Sequence, residues 1–295
     1  MAQAPAKQSP ATQSPAMQSP VAQPPATSAP SLASVASRAA APPATTPPSP
    51  ARTGTPDRFP ATIGGAALRA AAAKGDPAAE FEIASRLAEG RGVPRDLTAA
   101  AEWFERAAKQ GLAPAQVRLG SLYEKGLGVK KNLETARRHY LSAAEAGNAR
   151  AMHNLAVLHA DGTDAKPDYQ NSAKWFRKAA DYGITDSQYN LAILYVRGIG
   201  TEPNLGEAYR WFAIAAREGD AEAAKKRDDI ASRLDRSTLA AARAAAEAWS
   251  AQPQIEAATD VQSPPGGWDK PTTAPLPGKN RSSQKTEAAR LGPMQ

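Results

Sequence analysis

Between residues 65 and 250 the apolar side chains follow two nested periods. Over short stretches they recur at i, i+4, i+7 and i+8, which lays one stripe along a helix. Over longer ones the whole pattern returns every 36 residues, marked by Gly75, Gly111, Gly147, Gly183 and Gly219. Four residues after each glycine stands a small residue (Ala79, Ala115, Ala151, Ser187, Ala223). Eight after it comes Ile83, Leu119, Leu155 or Leu191, and nine after it Ala84, Gly120, Ala156 or Ala192. That all-small column is what a close helix crossing needs, and the stretch is predicted to be a first helix, A. Glycines follow at Gly90, Gly126, Gly162 and Gly198, then Asp96, Asn132, Asp168 and Asn204, residue types suited to an N-cap. A second helix, B, runs from there through Ala100, Trp103-Phe104 and Ala107-Ala108 and their counterparts, until the next glycine stops it.

A repeat of this length whose helix pair cannot bury both apolar faces alone predicts a stack. The expected fold is all-α: a right-handed α-solenoid of about four full helix–turn–helix repeats over residues 61–250, with capping helices. "GAALRAAAAKG" (65–75) reads as a half-repeat at one end. At the other, "AEAAKKRDDIASRL" (221–234) has charge where leucine should be, and "STLAAARAAAEAWS" (237–250) closes the stack with Trp249. His139-Tyr140 replaces the Trp-Phe pair of the other copies, so the second repeat is expected to be the weak joint.

These columns resemble the Sel-one-like repeat, a relative of the tetratricopeptide repeat with a longer loop between its helices. "AQVRLGSLYEKGLGVKKNLETA" (115–136) and "SQYNLAILYVRGIGTEPNLGEA" (187–208) carry that pattern nearly whole. More narrowly, these stretches together with "AGNARAMHNLAVLHADG" and "LDRSTLAAARAAAEAW" resemble the C-terminal repeat region of PodJ-type bacterial polar localisation factors. In that family a coiled coil and one transmembrane helix precede a proline-rich linker and periplasmic repeats, and the protein recruits others to a cell pole. The resemblance therefore implies a role in polarity and a periplasmic location. This chain starts within the linker, as a truncated product or a stand-alone relative would, and in the second case a cytoplasmic home is implied.

Composition adds boundaries. Fourteen of the 26 prolines lie in residues 1–60 and seven in 251–295, so both ends are expected to be disordered, one a Pro/Ala/Ser/Gln-rich arm and the other a tail. No apolar run approaches the ~20 residues that span a bilayer, so no membrane insertion is expected of the chain as written. The formal charge of +7 is spread over mixed-sign stretches such as "EAAKKRDD" (222–229), which argues against a nucleic-acid surface.

Chemistry finds little to work with. No cysteine is present, which excludes thiolate metal sites and cysteine nucleophiles. It also separates the chain from the cysteine-rich repeat relatives credited with β-lactam hydrolysis. The three histidines, His139, His153 and His159, each occupy a column filled elsewhere by a packing residue, and the six-residue spacing of the last two puts them on different helix faces. The Gly-x-Gly triplets do not follow a strand and are read as inter-helix turns rather than phosphate cradles. No cofactor, metal or enzymatic activity is expected.

A surface remains. Helix A lines the concave side of such superhelices, and its polar offsets nominate Glu82, Arg118, Lys125, Asn154, Asn190 and Arg197 as contacts for a protein partner. The same polar residues also suit a merely solvated helix face. The third loop, 161–170, breaks the Gly-x-Gly rule with Asp164 and adds Pro167, as a recognition loop or as drift. The expected function is a non-catalytic protein–protein interaction scaffold. The alternatives are a module that binds peptidoglycan directly and, remotely, a cell-wall or β-lactam-acting enzyme.

Overall fold

The computed structural model describes residues 62–162 and 166–269. Among them there are twelve helices and no strand. Four A/B pairs make up the repeats: α2 (Pro77–Glu89) with α3 (Leu97–Lys109), α4 (Ala113–Lys125) with α5 (Leu133–Glu145), α6 (Ala149–Asp161) with α7 (Tyr169–Asp181), and α8 (Thr185–Arg197) with α9 (Leu205–Arg217). Helix α1 (Ala66–Ala73) precedes them, and α10 (Ala221–Arg233), α11 (Arg236–Glu247) and the short α12 (Glu256–Thr259) follow. Helices α1 to α10 each pack on their sequence neighbours, α11 packs on α9 and the short α12 on α4, so the stack is the α-solenoid that the period demanded.

Local chemistry sets the boundaries. Every B helix starts at its Asp or Asn: Asp96, Asn132, Asp168 and Asn204 each accept from the backbone N–H three residues on, at 2.9–3.0 Å. Each such cap is worth about 1 kcal/mol. Every A helix of the repeats ends on a glycine in the left-handed region, Gly90, Gly126, Gly162 or Gly198. The second loop glycine has a different task in two copies. A Cβ at Gly128 would fall 2.3 Å from the Leu97 carbonyl, and one at Gly200 would fall 2.1 Å from that of Tyr169. Those loops pack directly on the start of the previous B helix, and only a glycine lets two backbones approach so closely. In the third loop, Asp164 lies outside the described residues.

The buried apolar residues fall into two clusters, bridged by the half-buried Tyr123, which packs on both. One cluster runs from Ile63 to Leu122 and contains Trp103 and Phe104. The other runs from Ala113 to Ala258 and contains Tyr140, Trp175, Phe176, Trp211 and Phe212. They meet inside α4, which gives Ala115, Leu119 and Leu122 to the first and Ala113 and Val117 to the second. The closing helix behaves as its composition suggested, with Trp249 edge-on to Trp211 at 6.1 Å.

The described end of the tail departs from expectation. Residues 251–269 do not leave the fold at Ser250; they run back along the repeats. The Gln252 N–H donates to the Asp181 carbonyl at 2.8 Å, Ala258 is buried in the second core cluster, and Trp268 packs on the first. A reading that averages composition sees proline, glycine and glutamine here. It misses that a few apolar side chains with backbone partners suffice to seat a strap on a preformed surface. Residues 1–61 and 270–295, where the arm and the rest of the tail were expected, lie outside the described residues.

Candidate functional site

A groove follows the A helices of the second, third and fourth repeats. One cleft in it, about 620 Å³, is bounded by Ser121, Glu124 and Lys125 of α4, residues of α6 from Arg150 to Asp161, and the start of α8 at Thr185 and Asp186. A second, about 910 Å³, lies where α4 and α6 meet the returning strap, whose Gln254, Thr259, Asp260 and Val261 form one wall. Helical spacing accounts for the lining, since Arg118, Ser121 and Lys125 lie three and four residues apart and share one face.

The six nominated contacts divide. Arg118, Lys125 and Asn154 all border the groove. Arg118 is well exposed and stands 3.9 Å from Glu89. Arg197 is exposed at the end of α8 and borders neither of these clefts. Glu82 is engaged within its own repeat, accepting from Arg86 Nε at 2.7 Å and pairing with Arg91 at 3.3 Å. Asn190 departs from expectation: it is 2% exposed and so is not a surface contact. The Asn column ran from an open position in the third repeat to a closed one in the fourth, and a sequence column cannot register that.

The polar centre of the groove is a trio that the sequence reading did not assemble. Tyr140 fills the column held by Phe104, Phe176 and Phe212 and is fully buried, yet its hydroxyl donates to Glu124 at 2.6 Å. Burial and the Glu124 charge hold that phenol firmly protonated. Asp161 faces the same space; partial burial and Glu124 raise its carboxyl above the ordinary value. The ring over α4 also explains a gap in the small column, since a Cβ at Gly120 would fall 2.8 Å from Tyr140 Cε1.

The histidines pack. His153 is buried, tilted on Phe176 at 5.7 Å with Nδ1 2.8 Å from Ser187 Oγ. Phe81 on Phe104 and Tyr189 on Phe212 occupy the same register at 5.4 Å. His139 stacks on Tyr123 at 5.9 Å, and His159 stands 3.8 Å from the N-cap Asp168. Burial is the leading cause of a lowered pKa in all three. Among the described residues no three His, Asp or Glu side chains are grouped to hold a metal.

Two further polar clusters gave no sequence signal. Glu80, buried at 1% exposure, accepts from Arg106 and Gln110, both at 2.8 Å. Arg86, 8% exposed, grips Asp269 with two parallel bonds of 3.0 and 2.7 Å, and the Gly65 N–H adds a third at 3.2 Å. A separation of 183 residues kept that pair invisible in sequence.

Residues 77–112, 113–148, 149–183 and 185–220 match the Sel1 repeat family model. A crystal structure of a Sel1 repeat protein from Oxalobacter formigenes is similar at 28% identity and a TM-score of 0.54, over 62% of this chain and 77% of that one. A protective antigen of uropathogenic Escherichia coli displaying an SLR fold is similar at 27% identity and a TM-score of 0.40, over 61% of this chain and 46% of that one. None of the curated proteins compared with the chain matches it. Four successive stretches of the chain, just under half of its length, thus match the Sel1 repeat.

Proposed function

We propose that this chain of four Sel1 repeats is a non-catalytic scaffold whose A-helix groove takes an extended segment of a protein partner. The observation that carries this reading is that a stretch of backbone already lies along the edge of that groove and walls its larger cleft. Residues 251–258 cross the turns that end the third and second repeats through the Gln252 N–H, the Gln254 side chain on the Tyr182 carbonyl at 2.9 Å, and the Asn148 side chain on the Ala258 carbonyl at 2.6 Å. Hydrogen bonds to an extended main chain give affinity with little dependence on sequence, and the side chains around them supply selectivity.

The experiment is affinity capture by the intact chain and by an Arg118→Glu/Lys125→Glu/Asn154→Ala variant. A partner held by the first and lost by the second is expected. Equal capture by both would overturn the groove as the docking site. The link to cell polarity or the envelope rests on the resemblance of the repeats to polar localisation factors. A fluorescent fusion concentrated at one pole is expected, and uniform fluorescence would remove the link. Co-sedimentation of the purified chain with sacculi would instead favour direct binding to peptidoglycan.

A further inference from the structure

We propose that residues 251–269 are a built-in competitor: an acidic strap that walls the larger cleft of the groove in cis and is displaced by a partner segment of the same chemistry. This rests on the groove being a docking site. It adds what the groove reads and how access to it is controlled.

Charge points to the partner. The strap, "AQPQIEAATDVQSPPGGWD", carries Glu256, Asp260 and Asp269 and no Lys or Arg. The 910 Å³ cavity beneath it is lined by Arg118, Lys125 and Arg150 on the helix side, and the one carboxylate in its wall, Asp260, belongs to the strap. Its remaining space is therefore bordered by three cations, while the carboxylates Glu124, Asp161 and Asp186 line the neighbouring cleft, which the strap does not border. At the far end Arg86 presents a planar fork that is nine-tenths buried and filled by Asp269, a carboxylate that is itself exposed. Fork-to-carboxylate pairing of this kind selects an acid geometrically as well as electrostatically.

The seat between these points is shallow. A Cβ at Gly147 would fall 2.3 Å from Ile255 Cδ1, so the missing side chain makes the notch in which Ile255 rests. Ile255 nonetheless remains 44% exposed, and much of the strap is open to solvent. A ligand held by a few anchors along an open path can be peeled away and replaced, which a core element cannot. The class of partner that fits is an acidic peptide, extended but for a helical turn such as α12, with an aliphatic residue for the Gly147 notch and a carboxylate for Arg86.

The test uses the full chain and a labelled synthetic peptide of residues 250–270, added in trans. A strap-neutral variant, Glu256→Gln/Asp260→Asn/Asp269→Asn, alters only exposed side chains and leaves the repeats intact. If the strap is seated about nine-tenths of the time, the peptide binds the variant about tenfold more tightly than the wild type. Adding Arg118→Glu/Arg150→Glu to that variant is expected to abolish binding, as is replacing the three acids of the peptide by lysine. Hydrogen exchange supplies a second readout, with the Gln252 amide protected in the wild type and less so in the variant.

Equal binding to wild type and variant, or free exchange at Gln252 in the wild type, would overturn the strap. Equal binding by the lysine peptide would overturn its acidic specificity. No outside partner enters these measurements. The strap can therefore stand if affinity capture finds no partner, and it can fail while the groove still docks one.

Discussion

In the fourth repeat Trp211 and Phe212 are fully buried, Trp249 closes over the indole, and Arg177 and Arg210 lie 5.0 and 5.1 Å from its ring. In the second repeat the same two positions carry His139, half-buried against Tyr123, and Tyr140, buried but tied to a carboxylate in the groove. One joint is closed by apolar area and cation–π contacts. The other exchanges part of that area for a polar anchor, and it is there, in α4, that the core divides into two clusters. A stack of repeats is only as continuous as its least apolar interface, because each unit is held chiefly by its neighbours. The strap crosses this division, with Ala258 in one cluster and Trp268 on the other.

The largest effect should separate the two joints. Trp211→Ala removes a fully buried indole and is expected to cost about 3–5 kcal/mol in urea denaturation. His139→Ala, at the matching position, should cost about 1 kcal/mol. Similar losses at both positions would show that the second joint is as well packed as the fourth.

A smaller effect, with a change of sign, tests the Tyr140 anchor. Alanine is favoured over glycine within a helix by about 1 kcal/mol. At position 120 its Cβ would meet a ring that the Glu124 bond holds in place, and overpacking of this kind costs about 1–3 kcal/mol. Gly120→Ala should therefore destabilise the wild type. In Tyr140→Phe the ring is free to shift, and the same change should be neutral or stabilising, in keeping with Ala84, Ala156 and Ala192 in the copies that carry Phe104, Phe176 and Phe212. A double-mutant cycle measures the coupling, and additive effects would dissolve the link between the gap and the hydroxyl.

The smallest effect concerns pH. Burial lowers the His153 pKa below its ordinary 6.5, so the unfolded chain takes up the proton first. Stability from this residue is complete above about pH 6.5 and declines as pH falls below it. His139 and His159 act in the same direction. His153→Phe restores the residue type found at Phe81 and should reduce the loss of stability between pH 7.5 and 5.5. An unchanged slope would assign that loss to other groups.

How far each feature could be read depends on the span over which its cause acts. The N-caps, the A-helix stops and the packing role of the histidines were legible because residues within one repeat decide them and the other copies serve as controls. The Gly120 gap stood in its column without a reason, since its cause is a tyrosine hydroxyl on the next helix. Asn190 and Asn154 share a column and differ in burial, which depends on what lies across from each. Arg86 and Asp269 were illegible as a pair, being 183 residues apart with no repeat to relate them.

By itself, then, the sequence determined the period, the helix pairs, their caps and the faces they bury, because these follow from backbone geometry and from side chains three, four or 36 residues apart. Only the tertiary structure decided where the core divides, which polar residues of the A helices border an open groove, and that an acidic strap lies along it. Those depend on distances between elements remote in the chain, where burial and charge pairing act with no regard for sequence order.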